Sequence, residues 1–300
     1  MKKIILSVIV AGLAVGIVLL YLGRPIPVYP SAMPAHTPDA KNGAVLFTAG
    51  GCLSCHKPAE DNKTADKSLP SGGAALKTPI GTFYPPNLTP DNKTGIGKWK
   101  TWEFVSAMKN GVSPDMRHYL PAFPYTSYAA MTVPDIIDIH AYLKTLKPVA
   151  SPSRSADIPV AWLLRLGVGV WKLMAMGDGT YQEDSSQSAT WNRGAYLVNG
   201  PGHCGECHTP RNFMMIWQMD KYMAGGPHPE GGKDKVPSLR GLIERKKYKD
   251  AKDLVSAFQF GEAFGYEDMS SGGMGSVQTN LSKLPESDLQ AIAVYLTSLK

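Results

Sequence analysis

Two short motifs in this 300-residue chain combine residue types that could carry out redox chemistry. Each is a Cys-x-x-Cys-His sequence, and the residues concerned are Cys52, Cys55, His56, Cys204, Cys207 and His208. This spacing is that of c-type haem attachment, in which two thiols bond to the vinyl groups of one porphyrin and the adjacent histidine binds the iron. The sequence therefore predicts two covalently bound haem c groups, with His56 and His208 as iron ligands.

Other uses of the four cysteines agree less well with their spacing. A zinc site made from two Cys-x-x-Cys pairs usually separates the pairs by about 15–20 residues, whereas about half of this chain lies between them. A thioredoxin-like redox pair requires a βαβ setting, which neither segment predicts. Two disulfides are the usual interpretation for four cysteines outside the cytoplasm, but the histidine after each pair favours haem.

The segments around the two motifs resemble each other, which indicates an internal repeat. The matching pairs are 42–46 with 193–197, 104–111 with 254–261, and 135–143 with 288–296. The last pair has the apolar spacing of an amphipathic helix, and Thr132-Val133-Pro134-Asp135 is typical of a helix N-terminus. Each half is expected to contain a first helix, a haem-attachment turn, a middle helix and a last helix. This order predicts an all-α fold with two tandem class I cytochrome c domains.

The N-terminus has the composition of a transmembrane helix. Lys2 and Lys3 precede an uncharged run of nineteen residues, from Ile4 to Leu22, and Arg24 follows. A run of this length can cross the hydrocarbon core of a membrane. A cleaved signal peptide is the alternative, but no convincing cleavage site follows the run. We expect an uncleaved anchor in the inner (cytoplasmic) membrane, with the rest of the chain in the periplasm.

The predicted organisation has five parts. They are a membrane anchor (1–24), a linker (25–38), a first cytochrome c domain (39–148), a connector with a helix (149–188) and a second domain (189–300). A Pro- and Ser-rich stretch, 148–155, joins the first domain to the connector, and an apolar helical segment, 161–174, follows. That segment has two interpretations: it packs between the domains, or it contacts the membrane surface through its tryptophans.

The sixth iron ligand is expected between the middle and last helix of each half. In the second half this loop offers Met274, which has small neighbours, and Met269. In the first half the position that corresponds to Met274 lies between Pro121 and Pro124, where no side chain can bind iron. Met131 is the first candidate there. His118, Met116 and an open or water-bound iron are the alternatives.

Several stretches of the chain resemble the di-haem and tri-haem cytochrome c subunits of membrane-bound periplasmic dehydrogenases, such as the alcohol dehydrogenase cytochrome subunit. The stretches are 76–91, 95–99, 111–115, 192–197 and 202–211. Relatives of the alcohol dehydrogenase subunit have three haems, whereas this chain has two motifs. Many also have Pro-Ala-Met-Pro-Tyr where this chain has Pro121-Ala122-Phe123-Pro124-Tyr125. The resemblance implies electron transfer between a dehydrogenase and the respiratory chain.

Two functions are compatible with these motifs. The leading hypothesis is a membrane-anchored periplasmic electron carrier without catalytic residues of its own. The alternative is a di-haem peroxidase or thiosulfate-oxidising enzyme that uses the first haem as an open site, with Arg117, His118 and Tyr119 nearby. A non-redox sensor or assembly factor has less support. The formal charge of +6 comes from scattered Lys and Arg residues, so no nucleic-acid partner is predicted.

Overall fold

Helices joined by long loops make up most of the fold. The computed structural model describes residues 1–177, 179–229, 231, 235–261 and 272–300. The helices in this part are α1 (Lys2–Leu22), α2 (Ala40–Ala49), α3 (Cys52–His56), α4 (Thr101–Asn110), α5 (Tyr125–Tyr128), α6 (Val133–Thr145), α7 (Ala161–Ala175), α8 (Ala189–Asn199), α9 (Gly205–His208), α10 (Ala251–Phe260), α11 (Gly272–Leu281) and α12 (Glu286–Ser298). Single 3₁₀ turns lie at Pro30–Ala32 and Met219–Lys221.

In the first half, α2 crosses α6 at a point where the two backbones touch. Asp39 begins α2 by accepting hydrogen bonds from the N–H groups of Lys41 and Asn42, which no helical carbonyl would otherwise satisfy. Gly43 lies at the crossing, because a Cβ built on it would be 1.9 Å from the carbonyl oxygen of Asp138. Only a hydrogen atom can occupy that space. The middle helix, α4, packs against α6.

The second half repeats this arrangement. There α8 crosses α12, and a Cβ on Gly194 would again be 1.9 Å from a carbonyl oxygen, that of Ala291. The middle helix α10 packs against α12. Gly194 and Ala291 correspond to Gly43 and Asp138 in the predicted repeat. All six helices expected from the repeat are present, and the division of the chain into two tandem domains stays a prediction.

The two halves of the chain pack against each other through buried apolar residues and hydrogen bonds. Their apolar side chains form one continuous core that includes all six of these helices. At the contact, the Tyr196 hydroxyl donates a hydrogen bond to the Asp135 carboxylate and accepts one of 3.1 Å from the Thr132 N–H. The Tyr181 N–H donates to the carbonyl of Ala130 at 2.8 Å. The halves are therefore packed together through both apolar and polar contacts.

Helices α1 and α7 lie outside the two helix groups and contact each other. None of the residues of α1 is buried, and among the described residues it is the one helix that is long and apolar enough to cross a membrane. Helix α7 occupies the segment for which the sequence predicted a connector helix. It buries one face, which includes Val168, Gly169 and Lys172.

Short strands lie in the loops, which the all-α prediction did not include. They form two antiparallel ribbons: β1 (Leu76–Thr78) with β2 (Gly81–Phe83), and β3 (Gly226–Pro227) with β4 (Lys235–Val236). A positive φ of 137° at Gly81 closes the first ribbon, and the Thr78 hydroxyl donates to the Gly81 carbonyl at 2.8 Å. The conformation of the turn determines such short ribbons, and they do not require an alternation of apolar and polar residues. The residue pattern therefore did not predict them.

Candidate functional site

The first Cys-x-x-Cys-His motif forms one tight helical turn directly after α2. Gly51, with a φ of 56°, ends the connection from α2, and α3 then carries Cys52, Cys55 and His56. Residues four apart in a helix lie on the same face, so Cys52 and His56 are neighbours on this turn. The turn thus presents two sulfurs and one imidazole in a single compact group.

The backbone around His56 fixes the orientation of its ring. Its Nδ1–H donates a hydrogen bond of 2.7 Å to the carbonyl of Pro86, and its own carbonyl accepts from the Gly72 N–H at 2.7 Å. The other ring nitrogen, Nε2, has no hydrogen-bond partner in the described part of the chain. Burial lowers the pKa of His56 to about 4, against the smaller opposing effect of the Pro86 carbonyl. The side chain is therefore a neutral imidazole with a defined nitrogen available for a metal.

The second motif has the same surroundings. The His208 Nδ1–H donates to the carbonyl of Pro237 at 2.8 Å, and the Gly225 N–H donates to the His208 carbonyl at 2.8 Å. Burial lowers the pKa of His208 as well. These orienting carbonyls were not identified from the sequence. The signal for them was the shared pattern Pro-x-Leu, found at Pro86-Asn87-Leu88 and Pro237-Ser238-Leu239.

The first cysteine of each motif lies in surroundings that favour a neutral sulfur. Burial raises the pKa of both Cys52 and Cys204 to about 12, so each site favours a neutral sulfur over a thiolate. A thioether bond to a haem vinyl group leaves the sulfur neutral, whereas zinc and other metals bind the thiolate. No disulfide joins any of the four cysteines, all of which the structure describes. The donor set therefore agrees with covalent haem attachment at both motifs.

The two attachment turns lie against each other. His203, directly before the second motif, makes a hydrogen bond of 3.2 Å through Nε2 to the carbonyl of Gly50, just before the first motif. A Cβ on Gly50 would lie 3.2 Å from the carbonyl oxygen of Pro201. The loops that lead into Cys52 and Cys204 are thus in direct contact.

Each turn also binds the opposite half through the residue before its second cysteine. Ser54 Oγ accepts a hydrogen bond of 2.8 Å from Asn280 in α11, and Glu206 accepts one of 2.8 Å from the Ser127 hydroxyl in α5. Ser127 and Asn280 are 153 residues apart, which is the same separation as that of the repeat tyrosines Tyr142 and Tyr295. The two contacts are therefore equivalent, and the halves meet with approximate two-fold symmetry around the attachment turns.

Charged and polar partners strengthen the contact at Glu206. Besides Ser127, the Thr126 hydroxyl donates to Glu206 Oε1 at 2.8 Å, and Arg211 pairs with Oε2. The side chains of Glu206 and Arg211 are both largely buried. A buried carboxylate with a paired guanidinium and two hydroxyl donors is well satisfied, so it can hold the second turn in a fixed position.

Met274, the predicted sixth ligand of the second haem, lies in a helix rather than in the expected loop. It occupies the first turn of α11 and is half-buried. This helix forms because Gln278 is buried and donates to the carbonyl of Phe258 at 3.0 Å, while Leu281 joins the core. Met269 lies outside the described residues.

The candidates for the first haem occupy three different environments. Met131 is fully buried, and a Cβ on Gly200 would lie 3.2 Å from its Cγ, so it packs beside the chain that leads to the second motif. Met116 is exposed and has a φ of 58°. His118 donates from Nε2 to the Gly23 carbonyl at 2.8 Å, and its Nδ1 accepts from Lys172 at 3.0 Å. Both nitrogens of His118 are thus engaged in hydrogen bonds.

Aromatic rings surround the position where many relatives of the alcohol dehydrogenase subunit have methionine. The Phe123 ring lies edge to face with Tyr119, Tyr125 and Tyr128, with centroid distances of 5.7, 6.2 and 5.5 Å. Tyr128 also contacts the His203 ring at 5.8 Å, beside the second attachment turn. The loop of the first half that corresponds in sequence to the Met274 region is therefore an aromatic cluster.

Comparisons with known proteins agree with this site chemistry. The family model described as Cytochrome c matches residues 40–147. A relative named diheme cytochrome c-type, from Cereibacter sphaeroides, is 39% identical over 95% of this chain and 96% of its own length. The fructose dehydrogenase cytochrome subunit of Gluconobacter japonicus is 32% identical over 91% of this chain and 55% of that protein. The cytochrome c subunit of alcohol dehydrogenase (quinone) from Gluconobacter oxydans is 33% identical over 88% and 56%.

Two tightly built Cys-x-x-Cys-His turns with oriented histidines define a c-type cytochrome. This chain belongs to the cytochrome c family, among the di-haem c-type cytochromes and the cytochrome subunits of dehydrogenases. It carries two covalently bound haem c groups. It spans nearly the whole of the Cereibacter relative and about half the length of the two dehydrogenase subunits. These relatives do not favour the alternative of a di-haem peroxidase or thiosulfate-oxidising enzyme.

Proposed function

We propose that this chain is a membrane-anchored, periplasmic electron carrier that connects a dehydrogenase to the respiratory chain. When bound, each haem supplies an iron that takes up and releases one electron. The observation that carries the proposal is the contact between the two attachment turns, through Ser54 with Asn280 and Glu206 with Ser127. A carrier that relays electrons needs its two cofactors close together and fixed, and these contacts hold their attachment points side by side.

The proposal treats residues 39–148 and 189–300 as tandem cytochrome c domains. Its support is the repeated geometry at Gly43 and Gly194, together with the matching environments of His56 and His208. The order of the two domains in the path of the electron follows from their reduction potentials, which the sixth ligands control.

The anchor and its orientation belong to the same proposal. No residue of α1 is buried, as expected of a helix surrounded by lipid, and Lys2 and Lys3 lie at its N-terminal end. Positive charges before a single span favour a cytoplasmic N-terminus, so the domains would lie in the periplasm. The partner proteins of relatives are dehydrogenases by name, which supports a dehydrogenase as the donor.

For the sixth ligands we propose Met274 at the second iron and Met131 at the first. His118 would have to give up its hydrogen bonds to Gly23 and Lys172 before it could bind iron. Substituting each methionine by leucine in the holoprotein, and recording electron paramagnetic resonance spectra, tests the assignment. A true ligand is one whose loss converts one low-spin ferric signal to high spin. If Met131→Leu leaves both signals unchanged while His118→Leu alters one, the Met131 assignment is wrong.

The relay itself is tested by reducing the fully oxidised holoprotein with less than one electron per molecule in a stopped-flow instrument. We expect the two haem spectra to equilibrate at a rate independent of protein concentration. The double variant Glu206→Ala/Asn280→Ala should slow this step by about tenfold, because it removes a contact on each side of the two-fold arrangement. Equilibration that depends on protein concentration would contradict the relay. Rapid turnover of peroxide or thiosulfate by the pure protein would instead indicate an enzyme.

A further inference from the structure

Helix α7 has an apolar outer face and carries its positive charges on the inner face. The large apolar side chains that point outward are exposed: Trp162, Leu163, Leu166, Leu173 and Met174. Arg165 and Lys172 lie on the opposite side, towards the protein, and Lys172 is only 9% exposed. A helix on the surface of a water-soluble domain has the reverse arrangement. The outer face of α7 therefore requires an apolar surrounding other than the core of this chain.

The inward cation fixes α7 in this orientation. Lys172 Nζ donates to the carbonyls of Asn110 at 2.6 Å and Gly111 at 2.9 Å, and it lies 4.4 Å from the centre of the Tyr125 ring. It also donates to His118 Nδ1 at 3.0 Å. Turning the apolar face inward would break all of these contacts. The exposure of the leucines and Trp162 is thus built into the packing of the helix.

The position of α7 indicates what covers this face. A Cβ on Gly169 would be 1.9 Å from the carbonyl oxygen of Gly23, the residue that follows the last residue of α1. His118 donates to the same carbonyl at 2.8 Å. Helix α7 is therefore attached at the point where the candidate membrane span ends, which is the depth of the membrane–water interface if α1 crosses the bilayer.

A neighbouring loop also exposes apolar side chains beside α7. The Trp171 indole N–H, in α7, donates to the carbonyl of Met214 at 2.9 Å. Phe213 is 95% exposed, and Met214 and Met215 are also exposed. Large contiguous apolar patches on a protein surface mark sites of interaction. We call the outer face of α7 together with residues 213–215 the apolar platform.

We propose that the apolar platform lies in the interfacial layer of the lipid bilayer as a second membrane contact. This inference rests on the proposed anchor, because α1 places the platform at the membrane. Trp, Phe and Leu are the residues that interfacial helices insert at the headgroup and acyl-chain boundary. At 1.5 Å per residue, α7 would cover about 22 Å of membrane surface. Two contacts would stop the haem-binding part from rotating freely about a single helix and would hold it in one orientation towards membrane partners.

The test uses full-length holoprotein in liposomes of phosphatidylethanolamine and phosphatidylglycerol that contain a phospholipid with a diazirine on its acyl chain. After irradiation, labelled peptides are identified by mass spectrometry. We expect labelling of α1, of α7 and of residues 213–215, each at least about tenfold above the peptide with Phe260. Phe260 is a suitable control because it is 72% exposed on α10, which packs on α11 and α12.

The outcomes separate this inference from the anchor. Labelling of α1 without α7 would overturn the platform and leave the anchor intact, whereas absence of α1 labelling alone would count against the anchor only. The double variant Leu166→Gln/Leu173→Gln should reduce labelling of α7 at least severalfold and leave the haem absorbance and the labelling of α1 unchanged. If α7 is labelled as strongly in this variant as in the parent, the inference is wrong. The same experiment in native membranes addresses a protein partner. Loss of the α7 label there would assign the platform to that partner and overturn the bilayer proposal.

Discussion

The crossings at Gly43 and Gly194 allow a quantitative test of the repeated architecture. An alanine Cβ at either position would lie 1.9 Å from a carbonyl oxygen of the opposite helix, whereas contacts of real Cβ atoms are essentially never below 3.0 Å. The helices would have to separate by more than 1 Å. Overpacking of this kind costs about 3 kcal/mol, and the better helix propensity of alanine returns about 1 kcal/mol. We therefore expect each substitution to lower the free energy of unfolding by about 2 kcal/mol.

Gly167 provides the matched control. It lies within α7, and in the described part of the chain no atom outside its chain neighbours and the backbone of its own helix lies within 4 Å of a Cβ built on it. Gly167→Ala should therefore be neutral or stabilise the protein by up to about 1 kcal/mol, because only the backbone entropy of the unfolded chain changes.

Guanidinium unfolding of the holoprotein, followed by circular dichroism and by the Soret absorbance, measures all three variants. Gly43→Ala and Gly194→Ala should lose similar amounts of stability, since the closest distance is the same at both crossings. The reasoning is refuted if either variant stays within about 0.5 kcal/mol of the parent, or if Gly167→Ala is destabilised as strongly as they are.

Three further substitutions test other parts of the structure. Burial raises the pKa of Asp138, but hydrogen bonds to its carboxylate outweigh this effect and leave the pKa lowered. The ionised carboxylate therefore stabilises the folded protein fully above the unfolded pKa of about 4. This stabilisation is lost as the pH falls through the lower folded pKa. Asp138→Asn should cost about 2 kcal/mol at pH 7 and weaken the loss of stability below pH 4 in acid unfolding, whereas the exposed Asp61→Asn should change neither. Lys172→Met should lower the free energy of unfolding by about 2 kcal/mol in thermal unfolding, and substitution of the exposed Lys221 by Met is its control. If Lys172→Met is as stable as the parent, Lys172 does not hold α7 in place. Glu206→Gln removes a negative charge beside the second attachment turn and should raise the potential of one haem in a spectroelectrochemical titration, because the ferric state loses a stabilising anion; unchanged potentials would contradict this.

Much of the fold was predictable because its determinants are local. The capping residue Thr132, whose side chain accepts from the Asp135 N–H at 3.2 Å, and the apolar period after it placed α6 correctly. The attachment turns were equally predictable, since haem c chemistry requires their residues to be close in sequence. The segment 161–174 is likewise predictable as a helix because its apolar residues are close in sequence, and α7 extends one residue further.

Features that depend on distant residues were not predictable in this way. Helix α11 owes its position to the buried Gln278, whose partners are carbonyls about twenty residues earlier in α10. The carbonyls of Pro86 and Pro237 orient histidines about thirty residues away. A backbone carbonyl has no residue type of its own, so only the Pro-x-Leu pattern that the two halves share could have indicated these two.

The approximate two-fold arrangement is compatible with the two unequal haems that we propose. Equivalence is close on the proximal side, where both histidines donate to a proline carbonyl and accept from a glycine N–H. It ends at the proposed sixth ligands, where Met274 in α11 corresponds to a loop whose Phe123 lies among three tyrosines. Because the proximal environments match, a difference in potential between the haems must arise mainly from the distal ligands and from charges such as Glu206. A gradient of potential across two adjacent attachment turns is what gives an electron relay its direction.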